Sequence, residues 1–291
     1  MTGNTKIEWA DKVWNPVVGC TPVSEGCRNC YAKRIYERFH HGSDFSNLHF
    51  IRERLQDPGK WKTPSKIFVN SMSDLFHPNV SDAMIETIWQ VMFLNHQHTF
   101  MVLTKRPERM KDRVNKMIAG CMGRVFSNIW LGVSIEDQKT ADERIPLLLK
   151  TPAAKRFVSV EPMLGGVYLE TYLKIPPLHV DIKGKSTWSG LDWVICGGES
   201  GPGARPMHPV WVRSLRDQCL EAQVPFFFKQ WGEWTTQPGS VDLSNRKQTF
   251  FDNYIFARVG KKSAGNLLDG KVWAQFPELS NDRASNPICD H

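Results

Sequence analysis

The sequence predicts an α/β chain folded as an irregular or partial parallel (β/α) barrel with a C-terminal extension, and three observations carry that prediction. Short apolar runs alternate with amphipathic helical runs over roughly the first 230 residues, the rhythm of parallel strands joined by helical crossovers. The residues just after each apolar run are polar, as they are where the C-terminal strand ends of a barrel share one site. No Gly-x-Gly-x-x-Gly follows the first strand, where an open dinucleotide-binding sheet would carry it.

Taken in order, residues 13–18 form the first strand and lead into Gly19-Cys20-Thr21, with a helix over 31–40. Residues 66–70 form the second and end on Ser71-Met72-Ser73-Asp74; polar residues from Ser81 then open a helix over 82–95. The third strand, 99–104, ends on Lys105-Arg106, and Pro107 suits the first turn of a helix over 107–119. The fourth, 129–134, runs through Ser134-Ile135-Glu136 into a helix over 136–150, with a polar start at Asp137. The fifth, 156–160, is followed by Glu161-Pro162-Met163. Residues 165–190, with Pro176, Pro177 and Gly184, break the rhythm and read as an insertion or long crossover that covers the pocket. The sixth strand, 193–196, leads into Gly197-Gly198-Glu199-Ser200 and a helix over 209–222 opened by Pro209. The seventh, 225–228, ends on Lys229-Gln230. The expected division is a barrel over 1–236 that carries the cysteine loop, and an extension over 237–291 packed on it. That extension holds one extended apolar run over 249–259 and a frayed end after Pro277.

A chain of 291 residues is long enough to bury a substantial core, and 41% hydrophobic with 23% charged residues reads as soluble and globular. No apolar stretch approaches the ~20 residues of a membrane span and no secretory pattern opens the chain, so the expected location is cytoplasmic, with no membrane partner. Seven cysteines cannot all pair, and reduced thiols or metal ligation are the better readings. Of these, Cys121, Cys196, Cys219 and Cys289 are scattered and read as small buried hydrophobes or inert thiols. The net charge is +7, and residues 28–66 carry nine Lys/Arg against four Asp/Glu, residues 105–116 six against two. Such concentration attracts an anionic partner such as a nucleic-acid backbone; two solvated helix faces account for it equally well. Gly260-Lys261-Lys262-Ser263 lacks the earlier glycine of a phosphate loop, because Ile255 stands there, which excludes a nucleoside triphosphatase of that type.

Cys20, Cys27 and Cys30 lie within Gly19-Cys20-Thr21-Pro22-Val23-Ser24-Glu25-Gly26-Cys27-Arg28-Asn29-Cys30-Tyr31-Ala32. Three thiolates hold an iron–sulfur cluster and leave one iron open to a substrate or cofactor. Zinc is the alternative: it takes four ligands, usually in paired knuckles, and here one Cys-x2-Cys knuckle would need help from His40, His41 or His49.

The run Gly-Cys-Thr-x-x-Ser-x-Gly-Cys-x-x-Cys-Tyr-Ala resembles a variant of the three-cysteine signature of the radical S-adenosylmethionine (radical SAM) superfamily. More narrowly, it is similar to a phage and bacterial family with the Cys-x6-Cys-x2-Cys-Tyr-Ala motif, and the likeness runs through to Arg258-Val259-Gly260-Lys261-Lys262. The commonest superfamily pattern has three residues in the first gap and an aromatic before the last cysteine; this chain has six, with Asn29 before Cys30 and Tyr31 after it. The resemblance implies a TIM-barrel-like fold of the radical SAM type and a [4Fe-4S] cluster on Cys20, Cys27 and Cys30 whose open iron chelates S-adenosyl-L-methionine. It also implies a 5'-deoxyadenosyl radical that takes a hydrogen atom from the substrate, and an external electron donor such as flavodoxin or ferredoxin.

Gly197-Gly198-Glu199 resembles the Gly-Gly-Glu that holds the cofactor amino group in many radical SAM enzymes, although there it follows the second strand and here the sixth; a turn that needs glycine explains it equally. Ser71, Ser73 and Asp74 occupy the second-strand position and are the other candidates for that task. Lys105, with Arg106, suits the cofactor carboxylate or a substrate phosphate, and a solvated helix start explains the pair nearly as well. Ser134 and Glu136 suit a ribose, or cap a helix. Glu161 is the favoured catalytic carboxylate, and Lys229, beside Gln230, Trp231 and Trp234, suits pairing and stacking with a nucleobase, although packing of the indoles against the C-terminal extension is the commoner explanation of such a cluster. His77 and His208, each before a proline, read as turn or surface histidines.

The expected function is therefore a radical SAM enzyme acting on a nucleic-acid base. One form would be an isomerase that rearranges a modified pyrimidine in phage DNA, working in the host cytoplasm if phage-encoded. The competing expectations are a zinc-stabilised, non-catalytic nucleic-acid-binding protein and a radical SAM enzyme acting on a protein or peptide.

Overall fold

Runs of Val, Ile, Phe and Trp too apolar to face water on either side demand cover on both faces, and the chain supplies it with helices outside and aromatic rings inside. The computed structural model describes residues 2–120, 123–173, 190–236 and 245–278. Eight strands form one sheet in chain order: β1 (Gly3–Asn4), β2 (Lys12–Trp14), β3 (Lys66–Val69), β4 (Thr99–Thr104), β5 (Ile129–Ile135), β6 (Lys155–Val160), β7 (Trp193–Gly197) and β8 (Phe226–Gln230). All neighbouring pairs from β2 to β8 are parallel, and β1 adds an antiparallel edge.

Among the described residues five helices longer than two turns accompany the strands: α1 (Tyr31–Phe39), α2 (Asp82–Leu94), α3 (Pro107–Gly120), α4 (Gln138–Leu149) and α5 (Pro209–Glu221). Their starts are chemically marked. Ser81 accepts from the Met84 amide at 3.3 Å, and Asp137 and Thr140 form a reciprocal capping box. His208 caps α5 by accepting the Val210 amide, and it is buried among Trp211, Phe251, Tyr254 and Phe256. That corrects its reading as a turn or surface histidine: the imidazole does the capping that Ser or Asp does elsewhere.

Strand alternation sorts the core into two layers. Ile67, Val69, Phe100, Val102, Leu131, Val133, Val158, Val160, Val194 and Phe226 face the helices. Phe68, Met101, Trp130, Phe157, Trp193 and Phe227 face inward, where Trp9 joins them. Gly132 belongs to that inner row, and the Phe157 ring fills the space a Cβ there would need. The Trp9 indole lies 4.6 Å from the Phe68 ring on β3 and 6.2 Å from Trp193 on β7. Four strand spacings would separate those strands by about 19 Å in a flat sheet. The sheet therefore curls around Trp9 into a half-barrel, in agreement with the expected fold class.

The expected first strand is split. Pro16 has no amide to give a ladder, and the buried Asn15 side chain accepts from the Met72 amide, so Val17–Val18 leave the sheet and pair with His49–Phe50. The run over 249–259 is a hairpin and not one extended segment: β10 (Gln248–Phe251) and β11 (Tyr254–Arg258) meet at Asp252 and Asn253, with φ of 46° and 64°. β9 (Trp234–Thr235) pairs on the other side of β11. Farther on, the chain covers the open edge of β8, where the Phe228 amide donates to the Trp273 carbonyl at 2.8 Å.

The insertion expected over 165–190 lies for the most part outside the described residues, as do most of the expected frayed end, Cys121 and Cys289. Cys196 and Cys219 are buried free thiols. Among the described residues no helix is long and apolar enough to cross a membrane.

Candidate functional site

A cavity of about 900 Å³ opens at the C-terminal strand ends. Cys20, Cys27 and Cys30 line it together with Ser71, Ser73 and Asp74 after β3, Lys105 and Arg106 after β4, Ser134 on β5, Glu161 after β6, Gly198 and Glu199 after β7, and Lys229 on β8. Gly197 and Glu136 stand just behind this lining. Thr2 and residues 4–9 supply further wall to this cavity.

The cysteine loop is compact. Gly19 turns with φ +109°, and a Cβ there would press on the backbone of Phe45, Asn47 and Leu48. A single 3₁₀ turn over Glu25–Cys27 then delivers Cys27, and the Cys30 amide donates to the Cys27 carbonyl at 3.2 Å as α1 begins.

Three charged groups hold this loop from the strand ends. Arg106 donates through Nη2 to the Thr21 carbonyl at 2.9 Å and hydroxyl at 3.2 Å, and through Nη1 to Asp74 Oδ2 at 2.9 Å and to Cys20 Sγ at 3.7 Å. Asp74 also accepts from the Phe76 amide, the Thr104 hydroxyl and the Lys105 amide, so its lone pairs are committed within the protein. The second group is Glu136, 1% exposed, which accepts the Ser24 hydroxyl at 2.8 Å and pairs with Lys105 and with Arg144. Gly26 leaves room for that carboxylate. The third is Glu199, held by Arg205 through Nε at 2.9 Å and Nη2 at 2.7 Å, while the same Nη2 donates to the Glu25 carbonyl at 2.9 Å. Asn29 adds a bond to the Gly203 carbonyl at 2.8 Å.

Electrostatics follow this wiring. Burial pushes the Glu136 carboxyl up, but Lys105 and Arg144 more than offset it and hold the group below the usual carboxylate range. Burial likewise raises Glu199, and the bonds from Arg205 bring it below its ordinary value. Burial and the Asp74 charge push the Cys20 thiol up to about 11 against the pull of Arg106. His77 is buried, accepts the Asn79 amide on Nδ1 at 3.1 Å, and meets the Thr21 hydroxyl with Nε2 at 2.7 Å; it is a turn residue, as one of its two readings had it, and not a surface one. Burial and then Arg106 lower its pKa.

The other candidates also have partners. Ser71 exchanges hydrogen bonds with the Asn15 amide group, Ser73 donates to the Val17 carbonyl at 2.9 Å, and the Tyr31 hydroxyl donates to the Ser71 carbonyl at 2.6 Å. Gly198 passes so close to the Trp231 carbonyl that a Cβ would collide with it. Lys229 donates to Glu161 Oε1 at 2.6 Å across the mouths of β6 and β8. Sequence reasoning missed Ser24, Arg144 and Arg205: Ser24 and Arg205 meet partners 112 and 180 positions away, and Arg144 sits on a helix face with nothing to single it out.

Among the described residues no three Cys, His, Asp or Glu side chains converge on a single metal ion. His40 and His49 line a different cavity, of about 650 Å³, beside α1.

Among solved structures the chain is similar to a doubly substituted spore photoproduct lyase with bound AdoMet and dinucleoside spore photoproduct, at 12% identity, over 89% of this chain and 71% of that one, with a TM-score of 0.44. It is also similar to spore photoproduct lyase complexed with dinucleoside spore photoproduct, at 12% identity, over 90% and 71%, with a TM-score of 0.43. No curated protein matches the chain. Residues 4–277 match the family described as "Protein of unknown function (DUF5131)", and the chain belongs to that family.

Proposed function

We propose that the protein is a radical SAM enzyme acting on a base of a nucleic acid, with Cys20, Cys27 and Cys30 as ligands of a [4Fe-4S] cluster. One observation carries this reading: three cysteines line one cavity at the strand ends, and among the described residues neither a fourth cysteine nor a histidine lines it. That donor set suits a cluster that spreads its thiolates over separate irons and keeps one iron open. When bound, the cluster supplies the electron that cleaves S-adenosylmethionine to a 5'-deoxyadenosyl radical, the electron coming from a donor such as flavodoxin or ferredoxin.

The chain's part is to hold, orient and enclose. Arg106, Glu136 and Arg205 fasten the loop at Thr21, Ser24 and Glu25. Ser71, Ser73, Ser134 and the Gly198 backbone are the proposed contacts of S-adenosylmethionine, while Asp74, Lys105, Glu136, Gly197 and Glu199 serve it through the loop and turns they brace. Glu161 and Lys229 are the proposed catalytic pair: Lys229 Nζ holds a proton against Glu161 Oε1 at the cavity wall, ready to be shared with a bound base. Lys6, Arg34 and Lys261 also line the cavity, and cations there attract a phosphate backbone. The specific form we propose is rearrangement of a modified pyrimidine in phage DNA, an isomerase reaction.

Anaerobic reconstitution tests the proposal. A brown protein with stoichiometric iron and sulfide that yields 5'-deoxyadenosine from S-adenosylmethionine and reductant is expected, and Cys27→Ala should abolish the product. Mass spectrometry of nucleosides after incubation with phage DNA, host DNA or RNA identifies the substrate. A colourless protein that retains zinc would overturn the reading.

A further inference from the structure

We propose that Arg106 is a positioning residue that tunes the cysteine-bound cluster, donating one guanidinium N–H to the Cys20 sulfur and thereby holding the cluster's reduction potential up. The inference rests on the radical SAM reading above and goes beyond it.

Arg106 is poorly suited to grip a ligand of its own. Nη1 serves Asp74 at 2.9 Å and Cys20 Sγ at 3.7 Å, and Nη2 serves both oxygens of Thr21. Its side chain is 11% exposed and that of Asp74 is 8% exposed. Asp74 is itself fixed by the Phe76 and Lys105 amides and the Thr104 hydroxyl, so the fork is set in place by the turn after β3 and the turn after β4. A contact of 3.7 Å is ordinary for an N–H donor to the larger sulfur atom. Cys27 stands differently: it lies 3.9 Å from the Ser24 hydroxyl, whose proton is given to Glu136 at 2.8 Å. A hydrogen bond and a nearby positive charge both stabilise the more negative, reduced state of a thiolate-bound cluster, and hydrogen bonds to the sulfurs are among the established determinants of its potential. Asp74 moderates the effect by placing a negative charge against the same guanidinium.

Opposite shifts should follow from opposite substitutions. In reconstituted full-length protein, a potentiometric titration followed by electron paramagnetic resonance should show a more negative midpoint in Arg106→Gln. A shift of about 59 mV would correspond to a tenfold change in the reduced-to-oxidised ratio. Asp74→Asn should move the midpoint the other way, and Arg106→Lys, which keeps a cation, should fall between wild type and Arg106→Gln. Iron content and the spectrum of the oxidised cluster separate tuning from loss of the cluster. Unchanged midpoints in iron-loaded Arg106→Gln or Asp74→Asn would overturn the proposal. Failure of all three variants to take up iron would overturn it too, because Arg106 would then be a loop anchor alone. A wild-type protein that takes up no iron would instead refute the radical SAM reading.

Discussion

Ser24 donates its hydroxyl to the Glu136 carboxylate at 2.8 Å, so the cysteine loop is fastened to the end of β5 by two residues 112 positions apart. Glu136 is also the common partner of Lys105 and Arg144, and it is almost wholly shielded from water. A carboxylate in that position is structural before it is anything else, and its removal leaves two cations facing each other in a low-dielectric setting.

Glu136→Gln should therefore destabilise the protein by about 3 to 5 kcal/mol at neutral pH, the cost of breaking a buried pair by removing one partner. Urea unfolding checks the magnitude. The same variant also tests the acid limb. Because the native carboxyl titrates below its ordinary value, its stabilisation is fully present above the unfolded pKa of about 4.3 and is lost as pH falls through the native value. The gap between wild type and Glu136→Gln should accordingly be widest near neutrality and close below about pH 4. A gap that stays constant with pH would show that the carboxylate charge is not what stabilises the site.

Arg205 and Glu199 should behave as one unit. Their three hydrogen bonds and the bond from Arg205 to the Glu25 carbonyl join the turn after β7 to the loop. In a double-mutant cycle, Arg205→Ala and Glu199→Gln should show a coupling of roughly 0.5 to 3 kcal/mol. Hydrogen exchange of the amides of Cys27, Arg28 and Cys30 should quicken in Arg205→Ala. Additive stability effects would argue that the two side chains act apart.

Gly198→Ala should be costly, because the Cβ meets the Trp231 carbonyl, a backbone atom that moves only if the turn after β8 moves. A loss of about 1 to 3 kcal/mol is expected from such overpacking. Gly120→Ala is the control: nothing lies within 4 Å of its Cβ and it closes helix α3, so the change should be neutral or slightly stabilising. Denaturation midpoints of the two variants decide it.

Lys229→Met should separate chemistry from cofactor loading. Lys229 touches Glu161 and none of the loop's anchors, so iron content should stay at the wild-type level. Turnover of a nucleic-acid substrate, read by nucleoside mass spectrometry, should fall by about 10² to 10⁴, the range for loss of a proton-transfer group. Unchanged turnover would remove Lys229 from the catalytic pair.

Much of the fold was legible because each strand is a local event. β4 spans the expected residues 99–104, and β3, β5, β6 and β7 differ by one residue at an end, since polar residues punctuate runs that are buried on both faces. The helices were legible for a related reason: Ser81, Asp137, Pro107 and Pro209 mark their own first turns. The first strand was misjudged although Pro16 carried the warning, and the Asp252-Asn253 turn was hidden by the apolar residues on both sides of it. Within the site, the cysteine loop and the polar strand ends were readable as spacing. The bracing groups were not. Arg205 reaches the loop across 180 positions and Arg144 looks like an ordinary helix-face arginine, so no periodicity could single them out. Trp9 gave no sign in sequence that it would occupy the centre of the half-barrel.

Trp9 has a temporal consequence. Its resting place includes Trp193, on the seventh strand to be synthesised, and Phe157 on the sixth. At ribosomal elongation rates, about 10 to 40 seconds separate the appearance of the indole from that of its last ring partner. Throughout that interval one of the newborn polypeptide's largest oily side chains has no complete berth, so the half-barrel can close around its centre only after the seventh strand has been made.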